Sequence, residues 1–408
     1  MNNLNNLIEE NGSPDALIDH WDYDSKRYAI WGFEENFVIE NDGKCRLNDN
    51  IIKGDPFDIW QNIISKWKTY NGELSAIGYI SYDLKNLLYP HIPFKNSNKT
   101  HPLVWFGKPK YYQPYNITNT KQYPSDMLQL KKDLITINKY MSSINKIKTH
   151  LSNGDVYQIN YTQPKKYQAL DNPISIYLHM RNFITPPYGT YINSKDIQIL
   201  SFSPERLFKT SGRTINAFPM KGTRPRSLNR AKDKFLYKEL FNSIKDRAEH
   251  LMIVDLLRND IGKICNFGSV QVKNLYNVNS YKSVHQMVSE VYGKLHKSLN
   301  EIAIIKALFP GGSVTGAPKE EAMKIIDSLE NYQRSIYTGS LGYILNNGNM
   351  DFSVAIRTIT MENNKCIYPI GGGIVWDSNY IDEWNEAQQK SEILTPFIQK
   401  YEPEVKLY

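Results

Sequence analysis

The chain has 408 residues, of which 41% are hydrophobic and 22% are charged. This size and composition predict a globular protein of about two or three average domains and exclude a disordered chain. The net charge of +7 is mild and fits a small anionic substrate; the basic stretch 108–112 is too short to predict nucleic-acid binding. No apolar run approaches the roughly 18 residues of a membrane span, so no membrane segment is predicted.

The amino terminus and the cysteines predict a cytoplasmic protein. The first six residues carry neither a basic nor an apolar segment, so no export signal is visible. Cys45, Cys265 and Cys366 lie far apart and are odd in number. They form neither a metal-binding spacing nor a disulfide framework, as expected in a reducing compartment.

The pattern along the chain predicts three parts. Residues 1–115 form an N-terminal region with mixed strand and helix signals. Residues 116–133 are polar and predict a linker or boundary loop. Residues 134–400 contain the candidate catalytic residues considered below and are called the catalytic region.

The catalytic region is predicted to contain helices and antiparallel strands in separate blocks, which is the α+β class. No sequence repeat is visible at a fixed period. The predicted elements are a helix over Leu134–Leu151, a strand over Val156–Thr162, a hairpin of Ile197–Thr210 and Arg213–Met220 around Ser211-Gly212, a helix over Lys232–Val254, strand character in Ser269–Val288, helices over Ile302–Phe309 and from Pro318 through Leu329, strands over Ser340–Leu345, Asp351–Thr360 and Lys365–Ile370, and a helix over Tyr380–Leu394.

Just past the predicted hairpin, Lys221 stands between Pro219 and Pro225 and beside Gly222. Proline and glycine there leave little room for a helix or a regular strand. A lysine in such a place is usually a solvated surface group. The alternative is a nucleophile that points into a cleft, which requires a depressed pKa and a partner acid. The local pattern leaves both interpretations open.

Two pairs of acids lie three residues apart on predicted helices: Asp246 with Glu249, and Glu383 with Glu386. Each pair occupies one helix face, and together they could hold a hard cation such as Mg²⁺. The alternative is a pair of solvated helix faces. The apolar run from Leu251 to Val254 favours a buried setting for Glu249, in which a carboxylate needs a partner.

Three other features could bind an anion. Arg357 lies among apolar residues of a predicted strand and either pairs internally or binds a ligand carboxylate. The run Gly371–Gly373 is either a flexible strand exit or a row of N–H donors for an anion, and it is not a dinucleotide fingerprint. His285 is more often a structural histidine than a catalyst. With the lysine and the acids, this set suits a polyanionic substrate held by a cation.

Six motifs occur between about Asn153 and Leu394. They are Ser203–Arg206, Pro219–Thr223, Glu249-His250, Asp255–Asp260, Phe309–Lys319 and Gly371–Ile374. In this order they resemble the motifs of the chorismate-utilising enzymes, which include anthranilate, isochorismate, salicylate and aminodeoxychorismate synthases. The resemblance implies an α+β fold of two antiparallel β-sheets packed as a sandwich with helices around them. Residues before Asn153 are less similar, mainly matching at 78–83.

Two positions separate the members of this family. In members that add water, a lysine that activates the water occupies the position of Gln158, and a glutamine cannot act as that base. The position of Lys221 is typically alanine in anthranilate synthases and lysine in component I of aminodeoxychorismate synthases. The combination in this chain is similar to the latter group, which aminates chorismate for 4-aminobenzoate and folate synthesis. Anthranilate synthase component I and a non-catalytic homologue that binds an amidotransferase are the alternatives.

The resemblance also implies a role for each matched residue. Lys221 would attack C2 of chorismate and expel the C4 hydroxyl, Glu205 would protonate that hydroxyl, and ammonia would then enter at C4. Mg²⁺ would neutralise the ring carboxylate. The other matched residues are Glu249 and Glu386 as metal ligands, Asp246 and Glu383 as nearby partners of the metal, His285 (grouped with the catalytic residues) and Ser313 lining the ring, and Tyr337, Arg357, Gly371, Gly373 and Lys390 binding the carboxylates.

The source of ammonia is expected to be another protein. The chain ends soon after Lys390 and has no cysteine in a G-x-C-x-G setting. We therefore expect a separate glutamine amidotransferase, and a separate lyase to finish 4-aminobenzoate. The Leu-Leu-Glu-Ser run of the feedback tryptophan site is absent, which leaves tryptophan inhibition unsupported.

One point of geometry is not explained by the predicted hairpin. With the turn at Ser211-Gly212, Glu205 pairs near Phe218, and Lys221 follows three residues later. An odd offset places two side chains on opposite faces of a sheet. The sequence therefore does not predict how the proposed acid and nucleophile meet.

Overall fold

The computed structural model describes residues 2–20, 27–68, 73–95, 101–116, 126–133, 135–281 and 284–399. No described helix is long and apolar enough to cross a membrane. The described strands are β1 (Asn2–Asn3), β2 (Ala16–His20), β3 (Tyr28–Ile39), β4 (Cys45–Leu47), β5 (Asn50–Ile52), β6 (Leu74–Ile80), β7 (Val104–Asn116), β8 (Leu128–Asp133), β9 (Gln158–Ala169), β10 (Tyr188–Asn193), β11 (Gln198–Ser203), β12 (Arg206–Ser211), β13 (Thr214–Ala217), β14 (Met220–Pro225), β15 (Gln271–Ser280), β16 (Val284–Lys294), β17 (Gly316–Ala317), β18 (Ser340–Leu345), β19 (Met350–Val354), β20 (Thr358–Glu362) and β21 (Lys365–Ile374).

The helices cover both outer faces of the strands. They are α1 (Leu4–Asn11), α2 (Pro56–Trp67), α3 (Lys85–Leu88), α4 (Ile137–Ser152), α5 (Pro173–Ile184), α6 (Arg230–Asn242), α7 (Ile244–Gly262), α8 (Glu301–Leu308), α9 (Lys319–Leu329) and α10 (Tyr380–Gln389), with 3₁₀ turns at Tyr82–Leu84, Gly312–Val314 and Glu392–Phe397. Many begin at an asparagine, aspartate, serine or threonine whose side chain accepts a hydrogen bond from the first turn, as at Asp55 before α2 and Thr136 before α4.

The strands form one continuous, mostly antiparallel ladder that lies in two layers. In the first layer the order is β9–β21–β20–β11–β10–β2, with β8 beside β9. In the second layer it is β3–β7–β6–β18–β19–β12–β13–β16, and β14 and β15 also pair with β16. The pairing of β2 with β3 joins the two layers.

Apolar side chains hold the layers together. An inner cluster joins residues of β2, β10 and β11 to residues of β6, β7 and β18, and Ile18, Ile199 and Leu341 in it are almost fully buried. Helices α2, α7 and α8 pack on the outer face of the second layer, and α1, α5 and α10 pack on that of the first. The burial of these apolar side chains away from water is the main contribution to the stability of the fold. The predicted α+β sandwich with surrounding helices is confirmed.

Three of the differences between the predicted and the observed elements have a clear local cause. The helix predicted over 232–254 is two helices, because Ser243 is extended and its hydroxyl accepts a hydrogen bond from the amide of Asp246. The strand predicted over 351–360 is broken at Arg357, whose φ of +51° does not fit a strand. The strand predicted to end at Ile370 continues through the glycines to Ile374, because β9 pairs with it along its whole length.

The predicted linker is in part a strand. Residues 128–133 form β8, which pairs with β9, whereas residues 117–125 lie outside the described residues. Strands β2 and β6, from the predicted N-terminal region, pair with β10 and β18 of the catalytic region. The boundaries of the three predicted parts stay a prediction.

Candidate active site

Lys221 lies on a short strand next to a bulge. It stands opposite Met287 in the β14–β16 pair, and the register shifts between Lys221 and Thr223. Gly222 forms the bulge with a φ of +70°, and a Cβ on this residue would lie 2.9 Å from Oδ1 of Asp246. Only glycine fits there without strain. The stretch therefore forms a strand, β14, but not a regular one, because the bulge at Gly222 interrupts its pairing.

The Lys221 side chain points into the space between α7 and β21 (the cleft), and only a small part of it reaches solvent. It is 22% exposed, and its Nζ donates a hydrogen bond to Oε2 of Glu249 at 3.2 Å. A Cβ placed on Gly373 would lie 3.2 Å from this Nζ and 3.1 Å from the amide of Gln158. The lysine, the glutamine and the glycine run of β21 therefore meet at one point.

Glu205 lies in the break between β11 and β12, so it is not constrained by strand alternation. Its Oε1 accepts a hydrogen bond of 2.6 Å from the hydroxyl of Ser313, in the 3₁₀ turn after α8. Burial raises the pKa of the Glu205 carboxyl, while the Ser313 hydrogen bond and the charge of Lys221 lower it; the pKa stays above its ordinary value. Because β14 pairs with β16 and not with β12, the parity problem of the predicted hairpin does not arise.

The four acids on α7 and α10 all have polar partners. Glu249 is bonded to Lys221, Asp246 accepts from Arg224 at 2.9 Å, Glu386 accepts from Lys390 at 2.9 Å, and Glu383 accepts from the Ser378 hydroxyl at 2.6 Å. Lys390 lowers the pKa of Glu386, whereas burial raises the pKa of Glu383. Within the described residues, no three acid, histidine or cysteine side chains lie close enough together to form a metal site.

The carboxylate oxygens of Glu383 and Glu386 are nevertheless suitable ligands for a hard cation. Above Gly372, Oε2 of Glu383 and Oε1 of Glu386 lie 3.6 and 3.7 Å from the position that a Cβ would take, and Nζ of Lys390 lies 3.4 Å from it. The charge of Lys221 also acts to lower the pKa of both glutamates, although burial leaves the pKa of Glu383 above its ordinary value. Carboxylate oxygens are the ligands that Mg²⁺ prefers, and one or two of them from the protein are usual. Two lysine ammonium groups thus stand among the carboxylates where a cation would bind.

The predicted anion-binding residues come from four places: β21, the bend after β19, the segment before β18, and the end of α10. Lys390 donates to the carbonyl of Gly371 at 2.7 Å. Arg357 lies in the bend between β19 and β20, and its charge lowers the pKa of the Tyr368 hydroxyl, which burial raises. Tyr337 is 6% exposed, and burial raises the pKa of its hydroxyl.

The structure does not bring His285 to this cleft. Its ring is buried, with Nδ1 on the Ser280 hydroxyl at 2.8 Å and Nε2 on Oδ1 of Asp233 at 3.1 Å. The next residue, Gln286, points to the opposite face of β16, where its Nε2 donates to the carbonyl of Gly222 and its Oε1 accepts from Thr223. Sequence reasoning missed Gln286; strand alternation over 284–288 could have found it, since neighbours face opposite sides.

Gln158 is the second residue whose importance lies in its position. It is 1% exposed, and neither its Oε1 nor its Nε2 has a hydrogen-bond partner. Such a buried, unsatisfied amide is costly, which is expected where a ligand supplies the missing bonds.

The fold thus brings a lysine, two pairs of acids and the glycine run of β21 together in one site. The sequence profile of the chorismate binding enzyme family matches residues 18–396. The chain belongs to this family.

The curated relatives include two kinds of synthase. Anthranilate synthase component 1 of Saccharolobus solfataricus is 34% identical over 78% of this chain and 79% of its own length. Aminodeoxychorismate synthase component 1 of Escherichia coli is 37% identical over 70% of this chain and 62% of its own length. The counterpart from Bacillus subtilis is 36% identical over 66% of this chain and 57% of its own length. The chain therefore spans less than two thirds of both aminodeoxychorismate relatives.

Solved structures support the same family. Anthranilate synthase component I from Streptococcus pneumoniae superimposes with a TM-score of 0.80 at 26% identity, covering 91% of this chain and 93% of that one. The menaquinone-specific isochorismate synthase from Escherichia coli has a TM-score of 0.74 at 15% identity, and the match covers 95% of this chain and 89% of that one. At this identity the similarity shows the fold alone.

Proposed function

We propose that this chain is component I of an aminodeoxychorismate synthase, which converts chorismate and ammonia to 4-amino-4-deoxychorismate for 4-aminobenzoate and folate synthesis. The observation that carries the proposal is the position of Lys221, whose Nζ lies beside Gln158 and Gly373 in the cleft. A primary amine there can act as a nucleophile, and a glutamine cannot activate water.

In the proposed reaction, the Lys221 ammonium first loses a proton to solvent, and the neutral Nζ then forms a bond to C2 of chorismate while the ring double bonds shift and the C4–O bond breaks. Glu205 gives its proton to the departing hydroxyl, which leaves as water. Ammonia then bonds to C4, the double bonds shift back, and the bond between C2 and the lysine breaks; the new C4 ammonium returns a proton to Glu205, and the released lysine amine takes one from solvent. Each substitution is easier than direct replacement at C4, which is the advantage of a covalent intermediate.

The remaining residues would bind the substrate. The Lys390 ammonium, the Arg357 guanidinium and the amides of Gly371 and Gly373 suit two carboxylates, and Ser313 orients Glu205. Glu249 and Glu386, with Asp246 and Glu383 nearby, would hold Mg²⁺, which would neutralise the ring carboxylate. We propose no catalytic role for His285, because its contacts are with Ser280 and Asp233.

We further propose that ammonia comes from a separate glutamine amidotransferase, since several relatives are named as component 1 of a synthase. We also propose a cytoplasmic location. The three cysteines, at 45, 265 and 366, are free and buried, as expected in a reducing compartment.

Anthranilate synthase component I is the second candidate, because the relative of that name from Saccharolobus solfataricus matches at similar identity and over more of its own length. Incubation of the protein with chorismate, Mg²⁺ and an ammonium salt, with and without aminodeoxychorismate lyase, distinguishes the two. We expect 4-aminobenzoate only when lyase is present. Anthranilate formed without lyase would reject our proposal. No product even with an amidotransferase and glutamine would favour a non-catalytic homologue.

The raised pKa of Glu205 predicts a loss of activity at alkaline pH. The group must be protonated to act as an acid, and its protonated fraction falls as the pH rises through that pKa. With the concentration of free NH₃ held constant, kcat should decline on the alkaline side. Glu205→Gln should remove this limb and lower kcat by about 10²- to 10⁴-fold. An unchanged alkaline limb in the variant would assign it to another group.

Gly373→Ala tests the crowding around Lys221. The added Cβ would lie 3.1 Å from the Gln158 amide and 3.2 Å from Lys221 Nζ, so one of them has to move. We expect kcat/KM to fall about tenfold or more, because small displacements in a reacting site are costly. Gly262→Ala is the control, since a Cβ there meets nothing within 4 Å. Steady-state kinetics and thermal unfolding of both variants check the result; equal kinetics would contradict it.

A further inference from the structure

Three of the four acids proposed as metal ligands or their neighbours are already paired with cationic side chains. Oε2 of Glu249 lies 3.2 Å from Nζ of Lys221, and Oε1 of Glu386 lies 2.9 Å from Nζ of Lys390. The third, Asp246, pairs with a guanidinium at 2.9 Å. Cationic side chains of the chain itself therefore neutralise three of these four carboxylates.

The pair of Lys221 and Glu249 is of particular interest because it joins the proposed nucleophile to a proposed metal ligand. Both side chains are about one-fifth exposed, so solvent screens their attraction only in part. Mg²⁺ binds carboxylate oxygens at about 2.0–2.1 Å. A cation at that distance from Oε2 would lie next to an ammonium bonded to the same oxygen, and the two positive charges repel each other.

We propose that the Lys221 ammonium and a divalent cation compete for the Glu249 carboxylate. Without the cation, Glu249 holds the lysine; metal binding breaks this pair, so that the ammonium, which already lies beside Gln158 and Gly373, can lose its proton there, where the substrate would lie. This inference rests on the proposed function, because it takes Lys221 as the nucleophile and Glu249 as a metal ligand. It adds an order of events: the metal binds before the lysine can attack.

The competition is tested by calorimetric titration of the substrate-free protein with MgCl₂. Removing the ammonium in Lys221→Met leaves Glu249 free, and we expect Mg²⁺ to bind about tenfold tighter than to the wild type. Lys221→Arg keeps the positive charge and should bind Mg²⁺ as weakly as the wild type. Lys53→Met removes an equal charge from an exposed position before α2, and its affinity for Mg²⁺ should not change.

Glu249→Gln should bind Mg²⁺ more weakly than the wild type, and removal of the ammonium in the double variant with Lys221→Met should then bring no gain. Equal affinities in wild type and Lys221→Met, with both folded by thermal unfolding, would overturn the competition. Undetectable binding in every variant would overturn it as well. Ammonia-dependent turnover of the wild type tests the proposed function separately: turnover with equal affinities rejects only the competition, whereas tighter binding without turnover rejects only the function.

Discussion

Lys221→Ala is expected to lower ammonia-dependent kcat by about 10³-fold or more, because it removes the atom that would bond to C2 of chorismate. The protein should stay folded, since the lysine side chain is partly exposed and its one described hydrogen bond goes to Glu249. Intact-protein mass spectrometry after rapid acid quenching should detect a chorismate-derived adduct on the wild type and none on the variant.

Lys390→Ala provides the comparison. This lysine contacts Glu386 and the carbonyl of Gly371, which suits a role in binding a carboxylate rather than in forming a bond. Its loss should raise KM for chorismate while the adduct still forms at saturating substrate. An adduct of equal yield on Lys221→Ala would assign the covalent bond to another residue. Near wild-type turnover by that variant would reject the nucleophilic lysine altogether.

Local sequence patterns predicted most strands and helices, because the spacing of apolar residues follows which side of each element is buried. The helix predicted to end at Leu151 ends one residue later, and the strand over Ser340–Leu345 agrees at both ends. The breaks were missed because they depend on single residues: Ser243, which caps α7, and Arg357, which adopts a positive φ. From the sequence alone, Ser243 looks like any serine inside a helix, and Arg357 looks like any arginine inside a strand.

The candidate residues were identified as one site from the family resemblance and not from their spacing in the sequence. Glu205 and Ser313 are 108 residues apart in sequence, and only the packing of the strand break against the 3₁₀ turn joins their side chains. The bulge at Gly222 and its hydrogen bond from Gln286 are likewise products of the β14–β16 pairing. Pairing between distant strands is set by the whole sheet, so no local pattern predicts it.

The salt bridge of Arg334 with Glu330 links the turn that carries Ser313 to β9, and its loss is predicted to have the largest effect on stability. Arg334 is 3% exposed and makes two hydrogen bonds to Glu330, at 2.8 and 2.7 Å. It also donates to the carbonyls of Val314 and Asn160, at 2.8 and 2.6 Å. Glu330 in turn accepts from the amide and hydroxyl of Thr162 on β9. The pair thus ties the turn that carries Ser313 to the strand that faces the glycine run.

Arg334→Met would leave the Glu330 carboxylate buried without its counter-charge, and breaking a buried pair in this way costs about 3–5 kcal/mol. Equilibrium urea unfolding should show a loss of this size. Arg258→Met is the control, because that arginine forms an exposed pair with Asp255, worth about 0–1 kcal/mol. Restoring charge balance in the double variant with Glu330→Gln should recover part of the stability. Equal losses of unfolding free energy in Arg334→Met and Arg258→Met would mean that the buried pair does not hold the Ser313 turn and β9 together.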